Sequence, residues 1–199
     1  MIGELHGRYV FQRRVRIIGE HLAKMIPQSA TVLDVGCGDG LIDKLILESR
    51  PDISLEGIDV ALRSNIHISA MSYDGNVIPH RDKSFDTVMF VDVLHHTVNP
   101  TILIREAQRV ARQCILIKDH NRTGLAAGPT LRLMDWVGNA PHGVILTYNY
   151  WPEGRWREAF AQLNLTVREY RTKLGLYPVL VRWLFERSLH FIARLEVKN

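Results

Sequence analysis

The sequence predicts an α/β domain built on a doubly wound, mainly parallel sheet with helices on both faces. Short apolar segments alternate with amphipathic ones along the first 120 residues, and acidic residues stand at the ends of several apolar segments. Nearly continuous apolar strands are typical of parallel sheets that helices cover on both sides. With 199 residues, 46% of them hydrophobic and 23% charged, residues 1–199 are expected to form a single globular domain.

The elements follow from apolar periodicity and from breaks at proline and glycine. An amphipathic helix is predicted over residues 8–26, where Pro27 ends it. Its apolar face comprises Phe11, Val15, Ile18, Leu22 and Met25. Further helices are predicted over residues 40–49, 99–111, 131–137 and 153–163. The predicted strands are 31–35, 53–60, 66–69, 85–91, 114–118, 165–172 and 189–197.

Three other segments are candidates to border a ligand site, which a doubly wound sheet places at the carboxyl ends of its strands. Residues 1–27 place the N-terminal helix over the site, and residues 120–150 interrupt the strand–helix pattern as an inserted, lid-like segment. Residues 177–185 predict a buried helix, with a lid or lipid-facing patch as the alternative. Candidate acceptor contacts, which could equally form a structural network, are His6, Arg8, Tyr9, Asp135, Trp136, Asn139, His142, Asn149 and Tyr150.

The most informative segment is the turn after the first strand, where Asp34 precedes Gly36, Gly38 and Gly40. Glycines at alternate positions allow a tight turn and a close approach of a ligand to the backbone. The free N–H groups of the following helix point toward this turn. A carboxylate attracts a cationic group and repels a pyrophosphate, so Asp34 favours a positively charged nucleoside. The spacing G-x-G-x-G also departs from the G-x-G-x-x-G of NAD-dependent oxidoreductases, which are the alternative.

Residues 32–40 resemble the first motif of class I S-adenosylmethionine-dependent methyltransferases, and the resemblance continues in order through residues 30–118. It implies a Rossmann-like sheet of seven strands with the last one antiparallel, S-adenosylmethionine as cofactor and S-adenosylhomocysteine as product. The cofactor-binding residues that it implies are Asp34, Gly36, Cys37, Gly38, Asp59, Val60, Asp74, Gly75, Val91 and Asp92.

Within this set, the resemblance implies that Asp59 binds the ribose hydroxyls and that Val60 packs on the adenine. Asp74 and Gly75 would bind the adenine through a carboxylate and a backbone N–H. Ordinary core packing is the alternative for Val60, and a plain Asp-Gly turn is the alternative for the pair.

The candidates for a general base follow the fourth and fifth predicted strands. Methyl transfer from a sulfonium requires mainly alignment and exclusion of water, and a base only where the acceptor holds a proton at neutral pH. A histidine with a pKa of about 6.5 suits that task. The catalytic role is predicted first for His96 and second for His120, with Asp119 as a further candidate and His95 expected to pack inward. No metal site is predicted, because adjacent histidines seldom share one ion.

Charge and composition limit the partners. The formal net charge is +4, but the positive residues are scattered over the two ends of the chain, so nucleic acid is not the expected partner. No apolar run reaches the roughly 18 residues that span a bilayer, and the two cysteines suggest no disulfide, so a cytoplasmic location is expected. The predicted acceptor is a small-molecule or lipid-like compound, and the oligomeric state stays open. A non-catalytic module that retains the fold is a further alternative.

Overall fold

A computed structural model describes residues 2–139, 148–186 and 188–198. The strands are β1 (Thr31–Val35), β2 (Ser54–Asp59), β3 (Ala70–Ser72), β4 (Phe85–Val91), β5 (Ala111–His120), β6 (Thr166–Arg171) and β7 (His190–Glu196). They form one sheet in the order β3-β2-β1-β4-β5-β7-β6. The first five strands pair in parallel, while β7 lies antiparallel between β5 and β6. The predicted fold class is therefore confirmed, including the antiparallel last strand.

Helices cover both faces of this sheet. They are α1 (Ile2–Met25), α2 (Leu41–Ser49), α3 (Pro100–Val110), α4 (Ala127–Asn139), α5 (Glu153–Gln162) and α6 (Val179–Phe185). On one face, Leu22 of α1 and Ile46 of α2 are fully buried against the strands. On the other face, Ile104 of α3 and Trp156 of α5 are fully buried. This two-sided burial explains why β1, β4 and β5 are apolar along most of their length.

The predicted third strand was misplaced. Strand β3 spans Ala70–Ser72, whereas residues 66–69 lie before it. A Cβ atom added to Gly40 would lie 2.6 Å from Ile68 Cγ1, so the Ile68 side chain packs against the glycine turn. An apolar residue that looked like part of a strand is therefore a contact that supports the turn.

Exposure corrects two further predictions. Phe11, assigned to the buried face of the first helix, is 53% exposed. In α6, Val179 and Trp183 are 75% and 70% exposed, so this helix is not the buried one that was predicted. Among the described residues, no helix combines the length and the apolar character needed to cross a membrane.

Candidate active site

The glycine turn after β1 adopts a backbone that favours glycine at all three positions. The φ angles of Gly36, Gly38 and Gly40 are 84°, 60° and 71°. A Cβ atom at Gly36 would lie 2.4 Å from Val93 Cγ2, so the turn and the loop after β4 touch directly. At Gly38, in contrast, an added Cβ would meet nothing within 4 Å. The backbone at Gly38 therefore borders open space that a ligand can occupy.

Asp59, the last residue of β2, fastens this turn. Its Oδ2 accepts a hydrogen bond from the Gly38 N–H at 2.8 Å, and its Oδ1 accepts one from the Ala61 N–H at 2.9 Å. A carboxylate has about four acceptor positions, so two remain for a ligand. The side chain is half-buried at the carboxyl edge of the sheet, where strand order reverses and ligands bind in such folds.

Val60 and the Asp74-Gly75 turn lie side by side beyond β2. Val60 is 61% exposed, so ordinary core packing does not explain it. A Cβ at Gly75 would lie 3.0 Å from Val60 Cγ1. The Asp74 Oδ1 accepts hydrogen bonds from the N–H groups of Asn76 and Val77, and these bonds lower the pKa of Asp74. The turn stabilises itself, and the exposed Val60 side chain beside it offers an accessible apolar surface.

Two carboxyl groups are buried near the turn. Asp34 of β1 is 2% exposed, and Asp43 in the first turn of α2 is fully buried. Burial and the neighbouring Asp43 raise the pKa of Asp34 well above its usual range, and burial raises the pKa of Asp43 to about 7. Burial and Asp34 also raise the pKa of the Cys37 thiol, so Cys37 is a neutral packing group and not a nucleophile.

The loop after β4 carries an ionised carboxylate in an unusual backbone conformation. Asp92 follows Val91 and has a φ of 57°, in the left-handed region that few residues other than glycine adopt, although Asp tolerates it better than most. The Lys118 ammonium contacts Asp92 Oδ1, and Arg14 Nη2 of α1 lies 3.5 Å from Asp92 Oδ2. Burial would raise the pKa of Asp92, but Lys118, His120 and Arg14 overcome it and hold the pKa well below its usual range.

Asp119 anchors the short 3₁₀ turn formed by Leu94–His96. Its Oδ2 accepts hydrogen bonds from the N–H groups of Leu94 and His95, at 2.9 and 3.3 Å. Its Oδ1 accepts from His95 Nδ1 and from the His120 N–H, each at 2.7 Å. Burial alone would raise the pKa of Asp119, but His95 and His120 hold it well below its usual range. Asp119 is therefore a buried, ionised support for the loop and not a proton acceptor.

The three histidines of this region differ in their surroundings. His95 packs inward as predicted, with 1% exposure, and its ring stacks on Tyr150 at a centroid distance of 5.3 Å. His120 lies inside β5, not beyond it as predicted, and burial lowers its pKa to about 4. His96 is half-buried on the same turn as His95, with ring centroids 4.0 Å apart. Of the three, His96 is the most accessible to an acceptor.

A metal site in this region would require donors that are already engaged. Ligand atoms of Asp92, His95, Asp119 and His120 lie within 4.8 Å of one another. Both oxygens of Asp119 accept two hydrogen bonds each, and Asp92 already faces the ammonium of Lys118. A divalent cation would have to displace these partners and would meet a lysine cation. The donor set does not fit a metal, and its absence remains a prediction.

The remaining acceptor candidates are only partly brought together. Tyr9 and Trp136 are each 58% exposed. Asn149 donates to the Thr97 carbonyl at 2.9 Å, and the Tyr150 hydroxyl donates to the Leu131 carbonyl at 3.3 Å, so these two hold the loop together. His142 lies outside the described residues, as do the side chains of His6, Arg8, Asp135 and Asn139.

Sequence reasoning missed Arg14, Asp43 and His190. The arginines near the start of the chain counted only as scattered positive charge, yet Arg14 reaches Asp92 and also lies 5.7 Å over the Tyr177 ring. His190 begins β7, is fully buried, and places its Nδ1 3.4 Å from Lys118 Nζ. The apolar residues of α1 cover only part of its surface, which could have suggested that one of its arginines also faces the sheet. No local pattern marks His190.

Comparison with known proteins supports one family. A family model described as a methyltransferase domain matches residues 6–170. The tRNA (carboxymethyluridine(34)-5-O)-methyltransferase of Schizosaccharomyces pombe is 29% identical over 101 residues, which cover 48% of this chain and 42% of that protein. The 27-O-demethylrifamycin SV methyltransferase of Amycolatopsis mediterranei is 29% identical over 108 residues, which cover 47% and 39%. The chain thus spans less than half the length of these two relatives.

A solved structure agrees with this assignment at the level of the fold. A chain from the complex between the Haloferax volcanii Trm112 methyltransferase activator and a methyltransferase aligns with a TM-score of 0.67. The alignment covers 98% of this chain and 94% of that one at 16% identity.

Proposed function

The chain belongs to the methyltransferase-domain family of class I S-adenosylmethionine-dependent enzymes, and we propose that it transfers a methyl group to a small-molecule or lipid-like acceptor. The main support for this proposal is one observation: Asp34, the open turn at Gly38 and Asp59 lie together at the carboxyl ends of two neighbouring strands. These residues fit the cofactor, because buried carboxyl oxygens and an open backbone cradle suit a cationic nucleoside. When bound, the cofactor supplies an activated methyl group on a sulfonium.

The proposed roles follow the order of the strands. Asp59 would accept hydrogen bonds from the ribose hydroxyls, and Val60 with the Asp74-Gly75 turn would hold the adenine. The turn at Gly36, Cys37 and Gly38, together with Asp34, would hold the methionine portion. Val91 and Asp92 would border the methyl-bearing end, since the loop after β4 touches the turn at Gly36. The α1 helix would cover this end of the crevice, since Arg14 Nη2 lies 3.5 Å from Asp92 Oδ2.

His96 is the first candidate for a general base and His120 the second. A base is useful when its pKa lies near the operating pH. His120 is 7% exposed with a pKa of about 4, which makes it a weak proton acceptor. His96 is half-buried on the loop that follows β4 and is not held by Asp119 in the way that His95 is. An acceptor approaching the methyl-bearing end would reach His96 first.

The distribution of positive charge supports a small-molecule acceptor over a nucleic acid. Recognition of a phosphate backbone requires a continuous basic face. Many arginines of this chain instead pair with acidic neighbours: Arg16–Glu20, Arg50–Asp52, Arg109–Glu106, Arg112–Asp86, Arg157–Glu153, Arg168–Glu196 and Arg171–Glu169. A tRNA is the competing acceptor, because one relative is named for that substrate.

Calorimetric titration and label transfer test the proposal together. We expect S-adenosylhomocysteine to bind and NAD to give no binding heat. In a cell extract supplied with methyl-labelled S-adenosylmethionine, label should pass to small-molecule or lipid fractions. Label in the tRNA fraction would replace the proposed acceptor class. Cofactor binding without any transfer would favour a non-catalytic module, and binding of NAD alone would favour an oxidoreductase.

Replacing His96 with alanine should slow methyl transfer about tenfold or more, because general-base catalysis typically contributes at least that much. The dissociation constant for S-adenosylhomocysteine should change less than about twofold, since the proposed role of His96 is on the acceptor and not on the cofactor. Steady-state rates on the acceptor identified by labelling, with calorimetry in parallel, measure both. His80→Ala is the control, since His80 packs on Phe85 at the opposite end of β4. An equal loss of rate and affinity in His96→Ala would assign His96 a structural role.

A further inference from the structure

Asp34 and Asp43 form a buried carboxyl pair beneath the glycine turn. Three of their four carboxyl oxygens, Asp34 Oδ1 and both oxygens of Asp43, are buried without a hydrogen-bond donor among the described residues. Buried polar atoms in native proteins nearly always have partners, and a buried carboxylate without one is costly. The pair therefore needs a proton or a cation to be stable.

The groups that act on this pair are all acidic. Asp39 and the Cys37 thiol face it from the turn, and Asp59 faces it from the end of β2. Burial, together with Asp59, Asp74 and Asp34, raises the pKa of the hydroxyl of Tyr73, which follows β3, to about 12. With no positive charge in this set, a proton is the available counter-charge while the site is empty, and burial accordingly raises the pKa of Asp43 to about 7.

This inference rests on the proposed function. We propose that Asp34 and Asp43 share one proton in the empty protein, and that the ammonium group of the cofactor's methionine portion displaces this proton on binding. The O–H bond of the shared proton breaks, the proton passes to the solvent, and the ammonium group keeps all of its own protons. Asp43 is fully buried in the first turn of α2, so it is a positioning residue that acts through Asp34.

This exchange makes cofactor affinity depend on pH. Burial and the neighbouring Asp43 raise the pKa of Asp34 well above its usual range, so below that pKa the empty pair holds its proton, binding must expel it, and affinity falls as the pH falls. Only above that pKa has the empty pair lost the proton, and there affinity no longer changes through this group. Linkage limits the effect of one proton to about tenfold in affinity per pH unit.

Calorimetry of S-adenosylhomocysteine binding at a pH of about 6.5 measures how many protons the protein releases on binding. Binding enthalpies are measured in buffers of different ionisation heat, and their slope gives the number of protons released. We expect about one proton for the natural sequence, and an affinity at least about tenfold lower at pH 6 than at pH 8. Asp43→Asn should release almost none and lose the pH dependence. Glu48→Gln removes an exposed carboxylate from the same helix and should behave as the natural sequence does.

A second ligand distinguishes the contribution of the ammonium group from that of the nucleoside. 5′-Methylthioadenosine lacks the amino-acid portion, so it should bind without releasing a proton. Binding of S-adenosylhomocysteine with no proton release, or equal release by Asp43→Asn, would overturn the inference. If Asp43→Asn does not fold, the proton counts of the natural sequence with the two ligands decide alone. Failure of S-adenosylhomocysteine to bind at all would instead contradict the proposed function.

Discussion

Replacement of Asp119 by alanine is expected to lower the free energy of unfolding by about 3–5 kcal/mol. The fully buried Asp119 carboxylate accepts four hydrogen bonds, from three backbone N–H groups and from His95 Nδ1. Alanine would remove the acceptor of all four hydrogen bonds in the interior, where the loss of each such bond is costly. The 3₁₀ turn that carries His96 would lose its anchor. Urea denaturation followed by circular dichroism measures the change.

Two variants bracket this result. Asp119→Asn keeps the shape and one accepting oxygen, but its amide nitrogen cannot accept, so we expect a loss of about 1–3 kcal/mol. Asp82→Ala removes a carboxylate that is 73% exposed and pairs with Arg109, and it should cost at most about 1 kcal/mol. If Asp119→Ala proved as stable as Asp82→Ala, Asp119 would not anchor the turn.

The acidic half of the candidate site, at the carboxyl edge of the sheet, was predictable because its residues follow a local rule. In a parallel sheet the carboxyl ends of neighbouring strands meet at one edge, so acidic residues at those ends come together irrespective of the conformation of the loops. The pairing of β1 with β2 places Asp34 opposite Gly57, and Asp59 stands two residues further along. The alternate glycines predicted the tight turn from local sequence too, and its left-handed φ angles explain the choice of glycine, since a side chain at such a φ would be strained.

The other half depends on packing between distant parts of the chain. Lys118 and His190 are 72 residues apart, and they meet only because β7 inserts antiparallel beside β5. Arg14 reaches the site because α1 crosses the same sheet face as Lys118. Periodicity identifies an apolar face of a helix but not what its polar edge will meet. These contacts could not be read from local patterns.

The environment of Asp43 in the fold differs from the one that its position in the sequence suggests. An acidic residue in the first turn of a helix usually interacts with the helix dipole at the surface, so its presence in α2 attracted no special prediction. In the fold, α1 packs over α2 and the side chain becomes fully buried beside Asp34. Its significance comes from tertiary burial alone. Ile68 is the converse case, because a β-branched apolar residue suggested a strand where it supports the glycine turn.

Asp59→Ala should weaken the binding of S-adenosylhomocysteine at least about tenfold. Hydrogen bonds to a charged group are worth about 1.5–3 kcal/mol each, so loss of the proposed ribose contact alone would have this effect. The variant also removes the acceptor of the Gly38 N–H, which fixes the turn that borders the ligand space. Calorimetric titration measures the affinity. Glu56→Ala is the matched control, because it removes a half-buried carboxylate from the same strand without touching its carboxyl end.

The two contributions to the Asp59→Ala effect can be separated by a stability measurement. If Asp59 acts mainly by holding the turn, urea denaturation should show a loss of stability in the empty protein comparable to the loss of binding free energy. If it acts mainly on the ribose, the affinity should fall while the stability of the empty protein changes by less than about 1 kcal/mol, because the half-buried Gly38 N–H can bond to water instead. We expect the second pattern. An unchanged affinity would count against Asp59 as a cofactor ligand and, with it, against the placement of the nucleoside at this edge of the sheet.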